Sequence, residues 1–110
     1  MNRIAISAAS SGLLRALIAR AGGARDRILL THMLSSDWQS LTMTGERHAI
    51  EFRMTGPDAK EQVRRLCSGL EEAEFRIAGQ IVADIALAGK PEWSADGSVT
   101  VKIEALTVEE

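Results

Sequence analysis

Residues 38–54, WQSLTMTGERHAIEFRM, form two alternating runs of polar and apolar side chains that meet at Gly45 and Glu46. A Gly-X pair between such runs is typical of a two-residue type II′ turn, which predicts a hairpin of residues 38–44 and 47–54. Side chains alternate along a strand, so one face should be dry and the other wet. The dry face would carry Leu41, Met43, His48, Ile50, Phe52 and Met54. The wet face would carry Trp38, Ser40, Thr42, Thr44, Arg47, Ala49, Glu51 and Arg53.

The composition is that of an ordinary globular protein. The chain has 110 residues, 45% of them hydrophobic and 25% charged, which fits one domain over residues 1–110. Cys67 is the single cysteine, so no internal disulfide can form. No apolar stretch approaches the roughly 20 residues of a membrane span, and the start lacks the apolar run of a signal peptide. We therefore expect a cytoplasmic protein that does not associate with membranes.

Two amphipathic helices are predicted, one before and one after the hairpin. The first begins at Ser10 or Ser11 as N-cap and stops at Gly22 and Gly23. The second begins within residues 55–58, with Pro57 near its first position, and Gly69 marks its end. The predicted buried stripes are Leu13, Leu14, Leu17, Ile18 and Ala21 in the first helix, and Ala59, Val63, Leu66, Cys67 and Leu70 in the second.

Three further strands are predicted. Residues 27–34 would form a strand that ends in a turn at Ser36 and Asp37, which places Ile28, Leu30, His32 and Leu34 on the dry face. One extra residue in that turn would reverse all four assignments. Residues 74–87 alternate, with Ile81, Ile85 and Leu87 among the odd positions on one side and Val82, Asp84 and Ala86 on the other, and a bend is expected at Ala78 and Gly79. The last strand spans residues 98–108 and points Val99, Val101, Ile103 and Ala105 inward.

These elements predict an α+β fold, with two helices packed on one face of a mostly antiparallel sheet of about five strands. Residues 2–7 alternate weakly and could add a strand in front. With that strand the order begins β-α-β-β-α-β, which resembles a ferredoxin-like order with additions. The resemblance lies in element order alone and implies no activity.

The reactive side chains do not form a catalytic set. His32 and His48 would both lie on the dry face, with backbones about 11 to 12 Å apart, which is too far to share a metal ion. Cys67 belongs to an apolar stripe, as a structural cysteine does. Ser10, Ser11 and Gly12 at a helix start are explained by capping, and no phosphate-binding glycine pattern is present. We predict no metal site, no cofactor and no catalytic residue.

The wet face is the region most informative about function. In the predicted register Trp38 lies opposite Arg53, where a cation–π contact could form. Two Trp, two Phe and no Tyr, with acidic residues among the basic ones, disfavour nucleic acid. Our preferred hypothesis is a non-catalytic interaction module that self-associates, sheet against sheet or edge to edge through the last strand. The alternative is a small-ligand binder or an enzyme. The residues predicted to bind a ligand or partner are Trp38, Arg47, His48, Arg53 and Asp84.

Overall fold

A computed structural model describes residues 6–23 and 26–110. In chain order the elements are α1 (Ala8–Arg20), β1 (Ile28–Gln39), β2 (Thr44–Met54), α2 (Ala59–Cys67), a 3₁₀ turn (Leu70–Glu72), β3 (Gln80–Leu87), β4 (Glu92–Trp93) and β5 (Val99–Glu109). The five strands form one sheet in the order β1-β2-β5-β3, with β4 also paired to β5. Every pairing is antiparallel. The predicted fold class is confirmed. Of the predicted front strand, residues 2–5 lie outside the described residues.

Helix α1 begins and ends for identifiable reasons. Ser7 is the N-cap of α1 and forms a capping box with Ser10, so the helix starts a turn earlier than predicted from Ser10 or Ser11. Gly22 and Gly23 follow α1 with φ of 113° and 77°, which favours glycine and ends the helix. The apolar stripes are confirmed in the core, with Cys67 and Ile18 only partly buried.

The hairpin differs from the predicted one in its turn. β1 continues through Ser36 and Asp37, and the chain reverses at residues 40–43, where the Ser40 amide donates to the Met43 carbonyl at 2.9 Å. The predicted turns at Ser36-Asp37 and at Gly45-Glu46 are therefore both wrong. Each of those residues is instead paired across the two strands. Leu41 and Met43, predicted to be buried, lie in the exposed loop.

Gly45 is explained by a close backbone approach rather than by a turn. Its φ is not positive. A Cβ at this position would collide with the carbonyl oxygen of Thr107 on β5. Glycine inside a strand commonly marks such an approach.

Two bulges reverse the alternation of the edge strands. Thr31 is the extra residue in β1, and Ala83 is the extra residue in β3. After Thr31, Met33 turns inward while His32 and Leu34 face outward, which corrects their predicted burial. Likewise Ile81 is exposed and Val82 packs against the core, the reverse of the parity predicted before Ala83.

The core lies between the dry face and the two helices. The inward side chains of β2 and β5 are buried as predicted: Ile50, Phe52, Met54, Val99, Val101, Ile103 and Ala105. They pack against Leu13, Leu17 and Leu66 of the helices. Because these partners come from distant parts of the chain, the sheet and the helices depend on each other for burial.

Gly45→Ala is expected to destabilise the protein by about 1 to 3 kcal/mol, because the new methyl group must displace the β5 backbone. Gly45→Asn should cost at least as much, since it also adds a Cβ. Urea unfolding of both variants, with Thr42→Ala in the exposed loop as a control, measures this. A type II′ turn would accept asparagine better than alanine, so a nearly wild-type Gly45→Asn would contradict the strand assignment.

Candidate functional site

The candidate site lies on the sheet face that points away from the helices, which we call the outer face. The strand registers align its side chains in rows across β1, β2, β5 and β3. Leu29, Leu34 and Ile81 on this face are 46%, 59% and 47% exposed. The described helices pack on the other side, against the buried core. The central rows are Trp38-Gly45-Val108-Ile81, Ser36-Arg47-Leu106-Asp84, Leu34-Ala49-Glu104-Ala86 and, on β1, β2 and β5, His32-Glu51-Lys102.

A depression of about 280 Å³ lies near the middle of the outer face. The small side chains of Ala49 and Ala86 contribute to its lining. Longer ones surround them: Leu34, Arg47, Asp84 and Glu104. Because Ala49 and Ala86 share a row with Leu34 and Glu104, the concavity arises from side-chain size along that row.

Among the described residues, the charged groups at this depression have no ionic partner. Arg47 and Asp84 lie in one row but two strands apart, so their backbones are separated by about 10 Å. In the described part of the chain, no ion pair involves Arg47, Asp84 or Glu104. One cation and two carboxylates are therefore available to a binding partner.

At the end of the outer face that carries Glu51 and Arg53, the charged side chains already form ion pairs within the chain. The Arg53 guanidinium pairs with Asp96 at 2.7 Å and donates to the Ser98 hydroxyl at 3.1 Å. Hydrogen bonds from Ser98, aided by Arg53, lower the pKa of Asp96. Lys102 lies 4.0 Å from Glu51. Arg53 therefore has an intramolecular role that Arg47 lacks.

The structure separates the five residues predicted to bind a ligand or partner. Trp38, Arg47 and Asp84 lie on the outer face in two adjacent rows. Arg53 pairs with Leu29 rather than with Trp38, so the predicted cation–π contact is wrong. The His48 side chain points to the dry face. His48 contributes to the lining of the depression only because it lies between Arg47 and Ala49 in the strand.

His48 is held in a buried polar cluster. It is 2% exposed, its Nδ1 lies 2.7 Å from the Ser35 hydroxyl, and its Nε2 lies 2.8 Å from the Thr107 hydroxyl. Burial lowers the pKa of the imidazole, and the nearby Glu46 carboxylate opposes that effect. A neutral ring donates from one nitrogen and accepts at the other. Both nitrogens are thus engaged, and the ring links β1, β2 and β5.

The same end of the sheet is joined to α1 by a second polar contact. The Ser7 hydroxyl lies 2.9 Å from both carboxylate oxygens of Glu46. Glu46 thereby sits at the N-terminus of α1, where the helix dipole favours negative charge. Sequence reasoning missed Ser7, Ser35 and Thr107, because their partners lie far away in the chain and no local pattern signals them.

The other reactive groups do not converge on a site. His32 lies on the outer face and His48 on the dry face. Burial raises the pKa of the Cys67 thiol, and Arg20 only partly offsets this effect. Within residues 6–23 and 26–110, no three His, Cys, Asp or Glu side chains are placed to hold a metal ion.

No protein-family model, curated protein or solved structure matches this chain. None of the helices in the described ranges is long and apolar enough to cross a membrane.

The stability of the protein is expected to depend on pH through His48. The folded state lowers the pKa of this imidazole, so below about 6.5 the unfolded chain binds more protons than the folded one. This contribution to the free energy of unfolding is present above that pH and is lost as the pH falls toward the folded pKa. His48→Gln should reduce the difference in stability between pH 8 and pH 5.5.

Urea unfolding at both pH values measures this effect. His32→Gln is the matched control, because it removes the exposed histidine and leaves the buried cluster intact. If His48→Gln and wild type lost the same stability on acidification, the buried neutral imidazole would not be the cause.

Proposed function

We propose that this protein is a non-catalytic interaction module that self-associates through the outer face of its sheet. The main observation in support of this proposal is that Leu29, Leu34 and Ile81 are about half exposed on a face that no described helix covers. Apolar area of this kind, interrupted by charges, is characteristic of association surfaces. The unpaired Arg47, Asp84 and Glu104 add groups that a partner could neutralise.

The sheet edges are poorer candidates for the contact. β5 is paired on both sides, which argues against association through the last strand. Of the edge strands, β1 and β3 each contain a bulge, at Thr31 and at Ala83, and β4 is only two residues long. Bulges twist an edge and interrupt its ladder, which discourages edge-to-edge pairing. This argument favours a contact between faces.

A small-ligand binder, or an enzyme with a site around His48, Arg47 and Asp84, is the second candidate. The depression of about 280 Å³ supports it, since ligand pockets begin near 300 Å³. Against it, both ring nitrogens of His48 are engaged on the other side of the sheet. Acid–base chemistry in the depression would then fall to Asp84 and Glu104 without a histidine.

Leu34→Glu is expected to abolish self-association, because it places a charge among the exposed apolar side chains of the outer face. Leu41→Glu is the matched control, since Leu41 is fully exposed in the hairpin loop and outside that face. Sedimentation over a concentration series measures the mass of each variant. Wild type and Leu41→Glu should approach twice the 11.9 kDa chain mass, and Leu34→Glu should stay at that mass. A monomeric wild type at all concentrations would overturn the proposal.

A further inference from the structure

We propose that the dimer has its two-fold axis along the strands, between β2 and β5, so that Arg47 of each copy pairs with the partner's Asp84. This inference rests on the self-association proposed above. The inference specifies which rows of the two outer faces lie opposite each other, and which charge pair favours that alignment. The occupant of the outer face is thus a second copy of this chain.

The charges on the outer face discriminate between two ways of stacking it on itself. Two sheets that pack face to face keep their strands within about 30° of each other, which leaves a two-fold axis along or across the strands. An axis across the strands, through the row of Ala49 and Glu104, would place Glu104 on the partner's Glu104. Two carboxylates in one contact repel each other, and burial increases the repulsion. With the axis along the strands, Glu104 instead faces the partner's Ala49 and lies one strand away from the partner's Glu104.

With the axis along the strands, each row faces its own reversed copy. Arg47 then faces the partner's Leu106, with the partner's Asp84 one strand away on one side and the partner's Arg47 one strand away on the other. Within its own sheet it lies two strands from Asp84. The pair forms twice, once on each side of the axis, because a two-fold contact repeats every interaction. Each copy therefore supplies the ionic partner that the other lacks.

The neighbouring rows match in the same arrangement. Leu34, which is 59% exposed, lies over the partner's Ala86 at the edge of the depression. A long side chain above a short one fills space, as interdigitating sheets require. One row further along, Glu51 faces the partner's Lys102, which extends an ion pair that already exists within each copy. Trp38 faces the partner's Ile81 at the opposite end.

The size of the face is adequate for a modest dimer. Three rows across four strands and a fourth row across three, with strands about 4.8 Å apart and rows about 6.6 Å apart, project to roughly 480 Å². Side-chain relief adds to that area, and a standard interface buries about 800 Å² on each partner. A reversible dimer is expected from these values.

A charge exchange between two variants tests the register. Arg47→Glu and Asp84→Arg should each weaken dimerisation at least tenfold, because each homodimer would contain two like-charged contacts. An equimolar mixture should regain wild-type affinity as a heterodimer. In it, the carboxylate introduced at position 47 meets the guanidinium introduced at position 84, and the native Arg47 of one chain meets the native Asp84 of the other.

Native mass spectrometry distinguishes the heterodimer by mass, and sedimentation gives its affinity. Arg15→Glu, which makes the same charge change on the exposed surface of α1, is the control and should dimerise as wild type does. Circular dichroism confirms that each variant is folded. A monomeric wild type would overturn self-association itself. A dimeric wild type whose variants also dimerise, or whose mixture is not restored, would overturn only the proposed axis.

Discussion

The backbone of β5 is hydrogen-bonded to β2, β3 and β4, and both layers of the molecule follow from that pairing. β5 lies inside the sheet, and its inward side chains, Val99, Val101, Ile103 and Ala105, are almost completely buried. The approach of its Thr107 carbonyl to β2 requires glycine at position 45. β5 joins the N-terminal hairpin and the C-terminal strands into one sheet. Neither half of the chain could bury its apolar side chains alone.

Sequence reasoning succeeded where burial was continuous. The alternation in residues 48–54 and 99–105 placed each inward side chain correctly, because a strand in the middle of a sheet keeps its parity as long as its partners do. The buried stripes of the helices were also predicted correctly, because burial is continuous along them. These elements are enough for the fold class, since two apolar helical stripes and one dry sheet face have few ways to pack together.

The failures occurred where local signals competed with distant partners. Gly45 and Glu46 resemble a turn when only their neighbours are considered, but Thr107 accounts for the glycine and lies 62 residues further along the chain. The bulges at Thr31 and Ala83 carry no local signal. The first reverses the assignments after it, and the second reverses those before it. Of the predicted site, Arg47 and Asp84 share the depression, whereas Arg53 is held by Asp96, whose position in a loop no alternation could indicate.

The bulges also connect the fold to the proposed function. Without Thr31 as an extra residue, Leu34 would point into the core and Met33 outward, so the most exposed apolar side chain of the central rows would leave the outer face. Without Ala83, Asp84 would change faces as well, and no carboxylate of β3 would share a row with Arg47. The two edge irregularities therefore bring an apolar group and an acidic group to the same surface. At the same time they make the edges poor templates for strand addition. Both effects direct association away from the edges and toward the outer face.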